Sequence, residues 1–408
     1  MKVILFTLIF VAISFYSNAQ TNDKITIGVV GHIQSKILNE KRDFWVYVPH
    51  SDQKEKQSKQ RYPVVYLLDG EQHFYSLVGL TDHLGKNAIG PEMIIVGIVN
   101  TDRTRDLTPA PVDSVPSSGD RSLRKDAEGG DKFMAFIEKE LVPTVDSLFP
   151  TEPYKMLIGH SLGGLTALNT LMRHSVLFNS YIAIEPAMLD DQKRLLQASK
   201  SLLSTKLFAE NSLFLAIANT MEPGMDTVKV KTDTGRPTEH IRAILELKDN
   251  ISGNPQNQLR FKARYYNDES HNTIPLIATY DALHFIFDFY ELKIPRSELM
   301  GINMETIAKI TRHYENVSKQ LGYTVKVPQP LANNLGYLSI RMKHYDEAEY
   351  LFRLNCTNFP EDGGVYDSLG DLFAAKGDKL NAANNYRKAL SISEMPETRQ
   401  KLEGLKTN

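Results

Sequence analysis

Gly159-His160-Ser161-Leu162-Gly163 is a G-x-S-x-G pentapeptide between the apolar run KMLI and the run LGGLTALNTLM, which has helical spacing. A serine hydroxyl is a poor nucleophile until a neighbouring base takes its proton. A sharp strand-to-helix turn exposes that hydroxyl, but it strains the backbone and leaves no room for flanking side chains. Gly159 and Gly163 meet that demand. The Leu162 N–H then opens a helix, where it can stabilise a developing oxyanion. The chemistry on offer is acyl transfer through Ser161. It needs a base, a carboxylate to orient that base, and a second oxyanion donor.

In the arrangement such a turn serves, the partners follow in the order serine, carboxylate, histidine. Of eleven histidines, His271 in YYNDESHNTIP stands just after the last strand-like run, where the base belongs. His160 adjoins the nucleophile with its side chain turned the other way, which predicts a structural role. His284 falls inside a helix, and His240, near a helix start, has no strong claim. His73 follows the strand YPVVYLLDG and is a candidate for lining the substrate pocket. Glu222, in MEPGMD after the strand SLFLAIANT, is the chosen acid. Asp226 and Glu185 (in IAIEP) are alternatives. The second oxyanion donor is assigned to the N–H of Glu71, or of Gly70, in Asp69-Gly70-Glu71, although Asp-Gly is also a good turn in its own right. Arg103 and Arg105, in NTDRTRDLTP, follow a strand at the edge where ligands bind. They are candidate substrate contacts, or else partners in Arg–Asp pairs within the loop.

These residues need a frame. KITIGVV and RDFWVYVP read as two early strands, a candidate hairpin. YPVVYLLDG, EMIIVGIVN, KMLIGHS, SYIAIEP, SLFLAIANT and LRFKARYYN then alternate with amphipathic runs. Short apolar strands interleaved with helices predict a mostly parallel sheet covered on both faces, with right-handed crossovers.

YLLDGEQHF, PEMIIVGIVNTDRTRDLTP, GHSLGGLTAL and YYNDESHNTIP together resemble the esterase family of α/β-hydrolases. That family includes enterobactin- and salmochelin-esterase-like enzymes, S-formylglutathione hydrolase, feruloyl esterases and mycolyltransferases. The resemblance covers roughly residues 25 to 295 and implies the α/β-hydrolase fold. It carries the nucleophile role to Ser161 and the base role to His271, and it implies no metal or organic cofactor. It helps less with the acid. Some siderophore esterases of the family rely on Ser and His alone, and Glu185 stands where many relatives have a small polar residue before Pro.

Beyond residue 296 the pattern changes. Residues 297–328 read as a helical connector. From 329 to 408, Leu335-Gly336 recurs as Leu369-Gly370 at a period of 34, with Ala348 matching Ala382 and Phe352 matching Tyr386. Pro360, Tyr366, Gly377 and Ala389 complete a pattern that resembles tetratricopeptide repeats, an all-α module. Two such units predict a structural or self-association role more than a binding groove.

The N-terminus carries one Lys, an apolar stretch from Val3 to Phe15, and Ser17-Asn18-Ala19. This is the plan of a secretory signal peptide over residues 1–19, followed by a hydrolase domain over 20–296. With Cys356 the only cysteine, no intrachain disulfide can form, which points to a bacterial periplasm or exterior. A net charge of −2 without like-charge blocks gives no reason to expect nucleic acid, and no later run is apolar enough to span a bilayer. The expected function is an exported serine esterase acting on a small-molecule or polysaccharide ester. The alternatives are an acyltransferase of the same fold and an inactive scaffold whose repeats bind a protein.

Overall fold

The computed structural model describes residues 25–49, 60–109 and 129–407. The stretch read as a signal peptide, residues 1–19, lies outside them. Among the described residues no helix is long and apolar enough to cross a membrane.

Eight strands form one sheet in the order β1-β2-β4-β3-β5-β6-β7-β8. β1 (Val29–Ser35) and β2 (Glu40–Tyr47) make an antiparallel hairpin, and β2 runs antiparallel to β4 (Ile94–Ile98). β3 (Tyr62–Leu67), β5 (Thr151–His160), β6 (Ser180–Ile184), β7 (Ser212–Ala218) and β8 (Arg260–Tyr266) complete a parallel set with β4. The first strand begins later than the run KITIGVV predicts. The turn at Lys36–Asn39, with Asn39 at φ 55°, sets the register so that Val29 faces Val46. Residues 25–27 therefore precede the ladder.

The central strands alternate their side chains between two cores, as a two-residue period requires. Val64, Tyr66 and Leu68 enter one core, and Val65 and Leu67 the other. The first core is covered by α3 (Gly129–Phe136), a π-helical turn (Ile137–Leu141), α4 (Val142–Leu148), α5 (Leu162–Arg173), α6 (Arg194–Thr205) and α7 (Glu239–Ser252). The second is covered by α1 (Gly70–Lys86) and α8 (Ile274–Ile286). A single turn, α2 (Arg103–Leu107), lies after β4. This is the α/β-hydrolase fold.

After α8 the chain is helical: α9 (Arg296–Met300), α10 (Met304–Leu321), α11 (Gln329–Arg341), α12 (Tyr345–Asn358), α13 (Gly363–Ala375), α14 (Lys379–Ile392) and α15 (Pro396–Thr407). α10 does more than connect. Its Val317 and Leu321 are buried in the second sheet core, while Ile307, Ile310 and Tyr314 join Leu335 and Leu351 in a separate helical core. One helix is thus shared by both parts of the molecule.

Candidate active site

The site is built where three neighbouring parallel strands end. Asp69, Ser161 and Glu185 follow β3, β5 and β6, and all three are non-glycine residues with positive φ: 53°, 58° and 41°. Such angles cost of order 1–3 kcal/mol each and persist only where the surroundings enforce them. At Ser161 the enforcement is visible. Its N–H donates to the Ile184 carbonyl at 3.0 Å, and the Ala187 N–H donates to its carbonyl at 3.0 Å. A side chain is impossible at Gly159, where a Cβ would lie 2.1 Å from the Gly163 carbonyl oxygen. The strand, the tight turn and the α5 start therefore have the form expected from G-x-S-x-G.

The starts of α1 and α5 lie side by side because β3 and β5 are adjacent and in parallel register. A Cβ built on Gly163 would be 3.3 Å from both Asp69 Oδ2 and Leu68 Cβ, so the two turns touch. The N–H groups of Glu71 and Leu162 belong to first helical turns, which lack intrahelical acceptors. Asp69 is buried and accepts from Arg103, Nε to Oδ1 at 2.6 Å and Nη2 to Oδ2 at 2.8 Å. Asn100 donates to Asp69 Oδ1 at 2.8 Å and to Glu71 Oε1 at 2.7 Å. The Asp69 carboxylate holds the Arg103 guanidinium protonated beyond its ordinary range.

Arg105 is placed differently. Its guanidinium reaches Glu40 at 2.7 Å and Asp106 at 2.7 Å, and the buried Arg42 meets both of those carboxylates. Of the two readings of that loop, ion pairing accounts for the whole guanidinium of Arg105. Arg103 is one-third exposed beside the site.

His271 lies between β8 and α8 and is half-buried. Its loop is tied down from two sides. Asn219, past the end of β7, donates its N–H to the Glu269 carbonyl at 2.8 Å and its Nδ2 to the Asn267 carbonyl at 3.0 Å. His160 Nε2 lies 2.8 Å from the His271 carbonyl oxygen. A carbonyl only accepts, so that nitrogen carries the proton. Burial, reinforced by His271, brings the His160 imidazole down to about 4, so it is neutral near pH 7. Burial also lowers His271 below its ordinary value, while Glu185 pulls the other way.

Glu185 is fully buried. Its Oε2 accepts the Ala218 N–H at 2.5 Å, and His240 Nε2 stands 3.1 Å from Oε1. A carboxylate oxygen of Glu185 and one ring nitrogen each of His240 and His271 lie within 4.8 Å of one another. Glu222 is exposed on the loop after β7, and no hydrogen bond or ion pair of its carboxylate occurs among the described residues. Asp226 is exposed too, and accepts from the Val228 and Lys229 N–H groups of its own turn. Of the three carboxylates considered, it is Glu185 that lies near His271, within 4.8 Å of a ring nitrogen, while the imidazole it is paired with is that of His240. His240 went unrecognised in the sequence. A first-turn histidine more than fifty residues from Glu185 gives no local signal, and only the pairing of β6 with β7 and the passage from β7 into α7 bring them together.

A cavity of about 180 Å³ lies between α1 and α8, behind His160. Leu77, Leu80, Ile158 and Leu276 make it apolar, and His73 and His160 supply imidazoles. Burial lowers His73, whose Nε2 has no hydrogen-bond partner among the described residues.

An α/β-hydrolase with a strained serine turn and a histidine after its last strand defines the class. The family model described as "Putative esterase" matches residues 35–285, and the chain belongs to that family. It is 28% identical over 185 residues to the ferri-bacillibactin esterase BesA of Bacillus subtilis, covering 42% of this chain and 63% of that protein. It is 31% identical over 157 residues to a siderophore enterobactin esterase of Emericella nidulans, covering 34% of this chain and 51% of that one. The chain thus spans between half and two thirds of the curated relatives it matches. Among solved structures, an IroE-like serine hydrolase from Shewanella oneidensis superposes with a TM-score of 0.64 at 29% identity, over 80% of this chain and 98% of the other.

Proposed function

We propose that the chain is an exported serine carboxylester hydrolase that works through an acyl-enzyme on Ser161. The observation that carries this reading is the shared anchorage of the three groups. Ile184 and Ala187 fix the Ser161 backbone, and between them Glu185 lies with a carboxylate oxygen within 4.8 Å of a His271 ring nitrogen. His271, neutral near pH 7, takes the Ser161 proton as Oγ attacks the ester carbonyl. Charge builds on the carbonyl oxygen, where the Leu162 and Glu71 N–H groups stabilise it. The intermediate collapses, and the leaving alcohol departs with the proton from His271. Water then releases the acyl group by the same steps, with His271 again the base. Glu185 is the third member, in preference to Glu222. It orients the imidazole and stabilises its charged form. Arg103 holds Asp69 against the serine turn and borders the substrate.

Both curated relatives are named for hydrolysis of siderophore esters, which favours a siderophore ester or lactone over a polysaccharide. The cavity beside His160 is close to the volume that encloses a single benzene ring, so an apolar group of that size fits there. Export rests on the N-terminal residue plan. The α11–α14 helices carry the 34-residue tetratricopeptide-like pattern, for which a structural or self-association role is the simplest reading.

The test is an ester panel that runs from short-chain p-nitrophenyl esters to cyclic siderophore lactones, acetylated xylan and feruloyl esters. Turnover should fall at least 10³-fold in both Ser161→Ala and His271→Ala. Undiminished turnover in either variant refutes the mechanism, and no turnover on any ester favours a scaffold.

A further inference from the structure

The Glu185–His240–His271 cluster contains one imidazole more than a serine hydrolase needs. We infer that these three side chains form a binding site for zinc, and that the bound ion reversibly shuts off the esterase by occupying its base. The inhibitory half of this inference rests on His271 being the base. The binding half rests on geometry alone.

Two imidazoles and one carboxylate are a ligand set that zinc takes in proteins, with a fourth position left open. Zinc bonds of 2.0–2.2 Å put neighbouring ligand atoms of a tetrahedral centre roughly 3.3–3.5 Å apart. His240 Nε2 and Glu185 Oε1 are already 3.1 Å apart, and the widest separation in the set is at most 4.8 Å. Closing the set therefore takes about an ångström of side-chain movement, given those bond lengths. The two histidines can supply it. Both are only partly buried, one in the first turn of α7 and the other on the loop before α8.

Glu185 is the fixed member. The Ala218 N–H holds its second oxygen, as outer hydrogen bonds hold the carboxylates of metal sites. Its burial also means that no water layer separates it from an ion placed between the rings. The surrounding charge is mixed. Asp190 lies near enough to act on His271 in favour of a cation, and Arg103 opposes it. Electrostatic attraction alone is thus weak, and the imidazoles select the metal. They suit zinc or copper(II) and give no hold on magnesium or calcium.

The consequence follows from a single lone pair. A neutral imidazole has one basic nitrogen; when that lone pair of His271 is given to the ion, the other ring nitrogen carries the proton, and Ser161 has no base. Nothing covalent changes, so removing the ion restores turnover.

Zinc is titrated calorimetrically into the full chain carrying Ser161→Ala, which keeps all three ligands. One ion per chain should bind with micromolar affinity. Adding His240→Ala, or His240→Gln in case the smaller residue disturbs α7, should weaken binding at least tenfold. In the wild-type chain, ester turnover should fall at the zinc concentration that saturates the site and return on adding EDTA. Magnesium and calcium at the same concentration should change nothing. Absence of saturable zinc binding overturns the inference, as does equal affinity with and without His240. A rise in turnover on adding zinc overturns it as well, because the ion would then be a cofactor. Zinc binding that needs His240, in a protein that hydrolyses no ester, upholds the site and sinks the function proposed above instead.

Discussion

His160 Nε2 is hydrogen-bonded to the main-chain oxygen of His271 at 2.8 Å, and the two rings lie 4.6 Å apart. The residue that precedes the proposed nucleophile therefore ties down the loop that carries the proposed base. Removing that bond should let His271 drift without touching Ser161, and a misplacement of about 1 Å can cost 10²-fold. His160→Ala should lower kcat about 10- to 100-fold with little change in KM. His160→Gln, which can still donate to the carbonyl, should recover part of the loss. Steady-state kinetics on one ester decides it, and an unchanged kcat in the alanine variant would show that the loop holds itself.

The choice of acid has a pH signature. The base works only when neutral, so activity falls as pH drops through the His271 pKa. Burial lowers that value from 6.5, which puts the acid limb of kcat/KM below pH 6.5. Glu185 raises the His271 pKa, so Glu185→Gln should move the limb to still lower pH. It should also cut kcat by about 10²–10⁴-fold, since the imidazolium loses its partner. Glu222→Gln should leave both limb and kcat alone. A limb that shifts in the Glu222 variant and not in the Glu185 variant reverses the assignment.

The succession of strands along the chain, the serine turn and the place of His271 were legible because each depends on local pattern: apolar period, flanking glycines, position after the last strand. The acid proposed above was not, because Glu185 and Glu222 both follow strands, and only burial and nearness to His271 separate them. A fully buried carboxylate and an exposed one look alike in a chain of letters. The same limit hid the bond from His160 to the His271 carbonyl, since a side chain's reach to a distant main-chain oxygen leaves no periodicity. The helix at 304–321 was visible, but its division between two cores was not, because its pattern records apolar faces and not their partners.

Asp69 and Arg103 offer a test of how firmly the two oxyanion-side turns are held. Asp69 is 1% exposed, bound through both oxygens to Arg103, and packed against the Gly163 turn. Arg103→Met should strand a buried carboxylate with only Asn100 for support. Losing one partner of a buried pair costs about 3–5 kcal/mol, and the lower end applies because Arg103 is one-third exposed. Adding Asp69→Asn to Arg103→Met should recover more than half of that loss. Urea unfolding of the single and double variants measures it. Equal stability of wild type and Arg103→Met would mean that the pair is held by solvent rather than by burial.

The helical C-terminal region repeats one contact. A Cβ on Gly336 would lie 2.6 Å from the Phe352 ring, and one on Gly370 would lie 2.5 Å from the Tyr386 ring. In both places the missing side chain lets an aromatic from the next helix lie directly on the backbone. Alanine at either position overfills the contact, at a cost of about 1–3 kcal/mol. Gly370→Ala presses on Tyr386, away from α10, whereas Gly336→Ala presses on Phe352 of the same core and also lies beside Leu335 of the core that α10 shares. The two should therefore differ. Gly370→Ala should lower the melting temperature of the helical region and leave ester turnover at 25 °C intact. Gly336→Ala should also broaden or lower the unfolding of the catalytic body, because α10 links the two cores. Scanning calorimetry with a parallel turnover assay separates them, and identical melting profiles for the two variants would mean that α10 transmits nothing between its two ends.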